Sequence, residues 1–236
     1  GDWSSDVCSS DQAAKANPLE LLMVMALAKE CIILVGDDRQ LPHYLDDEIG
    51  KKLEDESQDA QDEIEKALKD SMFKKLKERA QKLKELDGKE CFIALNMQYR
   101  MHPLLGRLVS DVFYKPYNES FESPLEEKHF KHNLRVLDNK PLAWIDVKNP
   151  KEKRNADGSY YRESEITAIK EYLDLFMKDE PDFTFGVITF FSEQKRLLEQ
   201  ALKGYANLEI GTVDSFQGKE FDVVLIGRAS CRERVS

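Results

Sequence analysis

No stretch of this 236-residue chain reaches eighteen consecutive apolar residues, so the sequence offers no membrane span. Cysteine is scarce: there are four, with no C-x-x-C pair and no spacing of the kind zinc sites use. Positive charge is in deficit, with 35 Lys+Arg against 45 Asp+Glu and a net charge of −10. That balance excludes a protein that coats nucleic acid with its whole surface, and confines any such contact to a local groove. Internal repeats are missing, and neither Pro nor Gly occurs between Lys51 and Asp87. What is present is 41% hydrophobic residues, enough for a sizeable core in one large or two small domains.

The ends differ from the interior. The first eleven residues have neither hydrophobic periodicity nor the basic start of a signal peptide. Asp2–Asp11 read as a translated sequencing-library adapter, and Ile226–Val235 as its opposite-end counterpart. Residues 12–225 are therefore expected to be the authentic interior of a longer gene, with 1–11 and 226–236 as adapter-derived ends. Without those ends the chain keeps 32 basic and 41 acidic residues, a net of −9. Cys31 and Cys91 remain, both in apolar runs, and are expected to be buried reduced thiols of an intracellular, cytoplasmic protein.

Periodicity predicts the elements. Leu19–Leu27 is helical in character, and Cys31–Val35 reads as a fully buried strand ending in Gly36-Asp37. From Asp46 to Leu86 the chain is dense in Lys and Glu, with Ile64, Leu68, Met72, Phe73 and Leu76 at helical spacing, and Gly88 suits a helix C-cap. Strands are expected at 92–95 and 143–147, with a helix from Leu104 to Phe113 and a turn-rich loop over Asn149–Ser159. Then come helix 162–177, strand 185–189, helix 192–202 and strands 210–213 and 223–226. This strand–helix alternation with unbroken apolar strands predicts an α/β fold whose parallel sheet is flanked by helices, with ligands beyond the carboxyl ends of the strands.

Four motifs lie at those strand ends. Gly36-Asp-Asp-Arg-Gln-Leu-Pro42 follows the first strand and Leu95-Asn-Met-Gln-Tyr-Arg-Met-His-Pro103 the second. Val187-Ile-Thr-Phe-Phe-Ser-Glu-Gln194 and Gly211-Thr-Val-Asp-Ser-Phe-Gln-Gly-Lys-Glu220, the latter leading into Asp222-Val-Val-Leu225, complete the series. In this order they resemble superfamily 1 helicases, in the branch of the nonsense-mediated-decay helicase and senataxin. The resemblance covers essentially all of residues 12–225, and least well the charged helical stretch.

That resemblance implies a RecA-like P-loop NTPase core with its site between two domains. Residues 12–45 would end the first domain, 46–88 form a charged connector, and 89–225 give most of the second. Gln40 matches the glutamine that senses the γ-phosphate; its amide can donate to a phosphate oxygen and accept from the attacking water. Arg100 matches the arginine finger, whose permanent charge and forked donors suit phosphate. Gly218 and Glu220 match a motif that touches phosphates and ribose, and Tyr99 offers a ring near the base. Thr212 and Ser215 match hydroxyl residues on the sugar–phosphate backbone of single-stranded DNA or RNA, contacts that position a strand without reading it. His102, just before Pro103 at a helix start, is expected to be structural.

The departures limit what this chain does alone. It contains no G-x-x-x-x-G-K-[ST], the loop that cradles ATP phosphates. Where the family carries Asp-Glu-Ala for Mg²⁺, this sequence has Asp11-Gln12-Ala13. Asp11 is the one matching metal ligand, at the edge of the adapter-derived segment, and an amide at 12 cannot act as a carboxylate base. The parent is expected to be an ATP- and Mg²⁺-dependent helicase or translocase, and the fragment to be inactive. The alternative is an ATP-gated, non-motor switch or scaffold on the same core.

Overall fold

A computed structural model describes residues 5–40, 71–148 and 151–229. The expected helices between 46 and 70, the Leu41-Pro42 end of the first motif, and residues 1–4 and 230–236 of the adapter-like ends lie outside the described residues. The chain divides into two compact units, one of residues 1–97 and 109–121 and the other of 98–108 and 122–236.

The first unit starts with a β-α-β turn of the chain. Strand β1 (Ser5–Ser10), within the adapter-like segment, pairs in parallel with β2 (Ala28–Leu34), and helix α1 (Pro18–Leu27) connects them. Asn17 caps α1: its Oδ1 accepts from the Glu20 N–H at 2.9 Å while Glu20 accepts from the Asn17 N–H at 2.9 Å, and Pro18 occupies the first turn, where a missing N–H costs nothing. Helix α2 (Met72–Asp87) starts at a Ser71 cap and stops at Gly88, which takes the left-handed conformation at φ +72°, as the sequence predicts. Ala13, Ala14, Leu21 and Phe73 form a small buried core, joined by Leu34 and Met72.

β2 is not fully buried. Cys31, Ile33 and Val35 are exposed, because the sheet of this unit has two strands among the described residues and α1 covers only part of it. Both Cys31 and Cys91 are exposed thiols, which corrects their expected burial. The strands expected at 92–95 and 143–147 are also absent: both segments run as irregular chain, with Leu95 and Trp144 at 84% and 86% exposure. Strand propensity expresses itself only where a neighbouring edge accepts the ladder bonds.

In the second unit, helix α3 (Pro103–Val109) opens on the third residue of Met101-His-Pro. A short hairpin of β3 (Lys153–Arg154) and β4 (Tyr160–Tyr161) interrupts the loop expected over 149–159. Helices α4 (Glu163–Asp179) and α5 (Ser192–Ala201) then alternate with β5 (Phe185–Thr189), β6 (Leu208–Thr212) and β7 (Val223–Gly227). All three strands are parallel, in the order β6-β5-β7, as the alternation predicts.

Side chains alternate across the central strand. Phe185 and Val187 enter the main core with Leu134, Ile169, Leu173, Phe176, Leu198 and Leu202. Gly186 faces the rings of Phe216 and Phe221, so close that an added Cβ would lie 2.8 and 2.9 Å from them. Edge strand β7 keeps Val224 and Ile226 exposed. Among the described residues no helix is long and apolar enough to cross a membrane.

Candidate functional site

The first motif turns away from β2 through Gly36. A Cβ on this residue would stand 2.8 Å from the Ala14 backbone nitrogen and 3.2 Å from the Phe73 ring, so only glycine lets the turn pack here. The Asp37 carboxylate then gathers the loop. Its Oδ1 accepts from the Arg39 N–H at 3.0 Å, and its Oδ2 accepts from the Gln40 Nε2 at 2.9 Å and from the Tyr114 hydroxyl. Gln40 itself is exposed at the end of this arrangement.

A buried ion network braces the loop from outside the motif. The Lys77 ammonium of α2 bonds Asp38 at 2.6 Å and Glu119 at 2.8 Å, with side-chain exposures of only 12% for Lys77 and 5% for Asp38. Arg39 donates to Glu119 from Nε at 3.2 Å and lies over the Tyr117 ring, its guanidinium carbon 3.6 Å from the centroid. Tyr114 and Tyr117 come from the π turn Ser110–Tyr114 and the 3-10 turn Lys115–Tyr117 that follow α3, and Glu119 lies two residues beyond. Asn118 closes them in the left-handed region at φ +58°, which asparagine tolerates.

Charge balance inside this network is uneven. Burial disfavours the ionised forms of Asp38 and Glu119, but the Lys77 ammonium and the Arg39 guanidinium outweigh it, and both carboxyls titrate below their ordinary 3.8 and 4.5. Burial likewise opposes the charge on Lys77, and its two carboxylate partners raise it above 10.5. Burial first, and the bond to Asp37 second, push the Tyr114 phenol above its usual range, so it remains a donor throughout the neutral range.

The depressed carboxyls contribute stability that is present above their ordinary values of 3.8 for Asp38 and 4.5 for Glu119 and is lost as pH falls through their lower folded values. The raised Lys77 contribution holds below 10.5 and is lost only as pH rises past its folded value. Urea midpoints measured from pH 3 to 8 are expected to drop at the acid end, and the Lys77→Met variant to show a shallower acid-side slope.

The second motif is shaped by Gln98. Its Oε1 accepts from the backbone N–H groups of Arg100 (3.0 Å) and Met101 (2.7 Å), while its Nε2 donates to the Met101 carbonyl (2.9 Å) and Ser123 Oγ (2.6 Å). Gly106 on α3 makes room, since a Cβ there would collide with Ser123 Oγ at 2.4 Å and Gln98 Nε2 at 2.9 Å. His102 accepts the Leu104 N–H at 3.2 Å, capping α3, and packs against Phe130, which is the structural role expected of it.

The last motif leaves β6 at Thr212 and turns through the 3-10 segment Asp214–Phe216. Ser215 Oγ donates to the Thr212 carbonyl at 2.8 Å, so binding a phosphate oxygen, an acceptor, requires that hydrogen to turn outward. Gly218 holds φ +83°, and the exposed Glu220 follows. Its carboxylate meets Arg100, whose Nε donates to Oε1 at 2.6 Å and whose Nη2 makes a second contact to the same oxygen.

Thus Arg100 and Glu220, 120 residues apart, come together in the second unit, with Tyr99 exposed beside Arg100. Gln40 sits in the first unit. The Mg²⁺ expectation does not fit this chain. Asp11 is exposed and its carboxylate accepts the Gln12 N–H at 2.8 Å, residue 12 is an amide, and no group of three acidic, His or Cys residues converges among the described residues.

Sequence reasoning missed Asp37, Lys77, Tyr114, Glu119 and Gln98 as parts of these sites. The signals were the paired aspartates after Gly36, the Tyr114-Lys-Pro-Tyr-Asn-Glu119 run after the expected helix, and a glutamine two residues before Arg100.

A family described as an AAA domain matches residues 68–233. A probable helicase of Dictyostelium discoideum is 27% identical over 225 residues, covering 93% of this chain and 21% of its own length. The probable helicase senataxin of Mus musculus is 27% identical over 228 residues, covering 92% of this chain and 8% of its own length. The regulator of nonsense transcripts 1 homolog of Neurospora crassa is 25% identical over 228 residues, with 92% and 19% covered. The chain therefore spans between 8% and 21% of the length of these relatives.

Proposed function

This chain belongs to the AAA domain family, with superfamily 1 helicases as relatives, and on that premise we propose that its parent protein is an ATP-dependent motor moving along single-stranded DNA or RNA. The observation that carries the reading is the meeting of the Arg100 guanidinium with the Glu220 carboxylate at one exposed corner, each from a different motif. Residues 12–45 end the first RecA-like domain, 46–88 connect, and 89–225 supply most of the second, with 109–121 packing in the unit that holds the first motif.

In the parent, Glu220 accepts from ribose hydroxyls, Gly218 lets the backbone approach the phosphates, and Tyr99 lies along the base. Arg100 moves from Glu220 to the phosphoryl oxygens as charge develops on them. Exposed ion pairs are worth about 0–1 kcal/mol, so releasing Glu220 costs little. Gln40 contributes the amide that holds the attacking water. Thr212 and Ser215 hold the sugar–phosphate backbone, and an acidic protein needs no more than such a local track. With neither a phosphate-cradling loop in its sequence nor a carboxylate at Gln12, this chain by itself does not hydrolyse ATP.

ATP turnover of the intact parent, with and without single-stranded DNA or RNA, tests the reading together with strand displacement on a tailed duplex. Stimulated turnover with unwinding is expected. Stimulated turnover without unwinding assigns a nucleotide-gated switch instead, and no stimulation by either polymer rejects the nucleic-acid track.

A further inference from the structure

The geometry points to Tyr114 as a positioning residue that, through Asp37, fixes which end of the Gln40 amide faces the reacting phosphate; this rests on Gln40 being the γ-phosphate sensor. Tyr114 lies 74 residues after Gln40, outside all four motifs, on a turn that no sequence pattern ties to the loop.

An amide carries two N–H donors at one end and an oxygen acceptor at the other, and rotating the group by half a turn exchanges them. A water-holding glutamine works only one way round, with its oxygen outward to accept from water and an N–H outward for phosphate. A carboxylate can only accept, so Asp37 Oδ2, at 2.9 Å, selects the Nε2 end of Gln40 and leaves Oε1 and the second N–H outward.

Asp37 must itself be held for that selection to work. Its Oδ1 is occupied by the Arg39 N–H at 3.0 Å, and the Tyr114 hydroxyl donates to Oδ2, the same atom that receives Gln40. Tyr114 is placed in turn by its edge-on packing against Phe121, with centroids 5.2 Å apart at 82°, and by the Glu119 ion network a few residues on. Tyr117 in the same turn packs under Arg39 and makes no contact with Asp37 among the described interactions, which makes it an internal control.

Tyr114→Phe keeps the ring and its packing and removes only the hydroxyl. In the intact parent we expect kcat to fall roughly 3- to 10-fold, the range of one hydrogen bond, with KM for ATP within about twofold. Gln40→Ala is expected to cost on the order of 10²-fold in kcat. In the Gln40→Ala background, Tyr114→Phe should add nothing further, and Tyr117→Phe alone should leave kcat unchanged.

The side-chain amide resonances of Gln40 in this 236-residue chain provide a readout independent of turnover, and they should shift in Tyr114→Phe and not in Tyr117→Phe. Unmoved resonances, an unchanged kcat for Tyr114→Phe, or losses that multiply in the double variant would overturn the positioning role. A Gln40→Ala parent with normal turnover, alongside shifted resonances, would instead overturn the role of Gln40 and leave the hydrogen-bonded relay standing as structure alone.

Discussion

Replacing Arg100 with alanine in the intact parent is expected to lower nucleic-acid-stimulated ATP turnover by about 10³-fold or more while changing KM for ATP little. The asymmetry follows from when the guanidinium is needed. Arg100 is 58% exposed and its partner Glu220 62%, so in this state the side chain rests on a solvated surface pair that contributes little. In the proposed role its work falls in the transition state, where phosphoryl oxygens gain charge and a forked cation suits them better than a point charge. Arg100→Lys should recover only a small part of the loss, because an ammonium cannot span two oxygens. Glu220→Gln separates the roles: it weakens the proposed ribose contact and the resting pair together, so KM should rise before kcat falls. A turnover within twofold of the unmodified protein for Arg100→Ala would remove the arginine from the mechanism.

The elements that could be read from the sequence are those whose cause is local. β5 spans Phe185–Thr189 as predicted, because a continuous apolar run between turn signals suits a strand buried on both faces. Gly88 ends α2 because only a residue without Cβ takes φ +72° without strain. β5 and β6 run parallel because helix α5 crosses between them, and β7 adds in parallel on the other side of β5 after the 3-10 turn Asp214–Phe216. The strands expected at 92–95 and 143–147 failed for the opposite reason: an apolar run marks a segment able to pair, but a ladder needs a second edge, and neither segment has one among the described residues. Cys31 and Cys91 were misplaced by the same inference, from apolar neighbours to a covering layer that is not there.

The site divides along the same line. The four motifs could be found because their residues are adjacent in sequence, and the meeting of Arg100 with Glu220 makes chemical sense of two of them. The groups that hold those motifs in place lie far away. Lys77 reaches Asp38 across 39 residues and Tyr114 reaches Asp37 across 77, and no periodicity encodes contacts at such separations. Gln98 is the exception, since a glutamine folding its own next three residues is a local device that the spacing alone could have suggested.

The largest expected change in stability comes from a pair with no part in the Arg100–Glu220 corner. Arg162 is 4% exposed immediately before α4, and its Nη1 donates to Glu165 Oε1 at 3.0 Å, one helical turn on. Glu165 Oε2 accepts the Ala229 N–H at 2.8 Å, tying α4 to the chain just after β7, and a Cβ at Gly227 would come within 3.2 Å of that oxygen. The buried Gln194 on α5 accepts the Arg162 backbone N–H at 2.8 Å, so the pair sits where both helices and the sheet edge meet. Glu165→Ala removes the carboxylate that the buried Arg162 donates to and the acceptor that holds residue 229. The expected cost is about 3–5 kcal/mol, read as a lowered urea midpoint of this chain. Removing both charges at once, as Arg162→Met with Glu165→Leu, should recover most of that loss, because replacing a buried ion pair by apolar side chains costs less than deleting one member of it. A double variant no more stable than Glu165→Ala would mean that the Ala229 tether, rather than the ion pair, carries the stability of this corner.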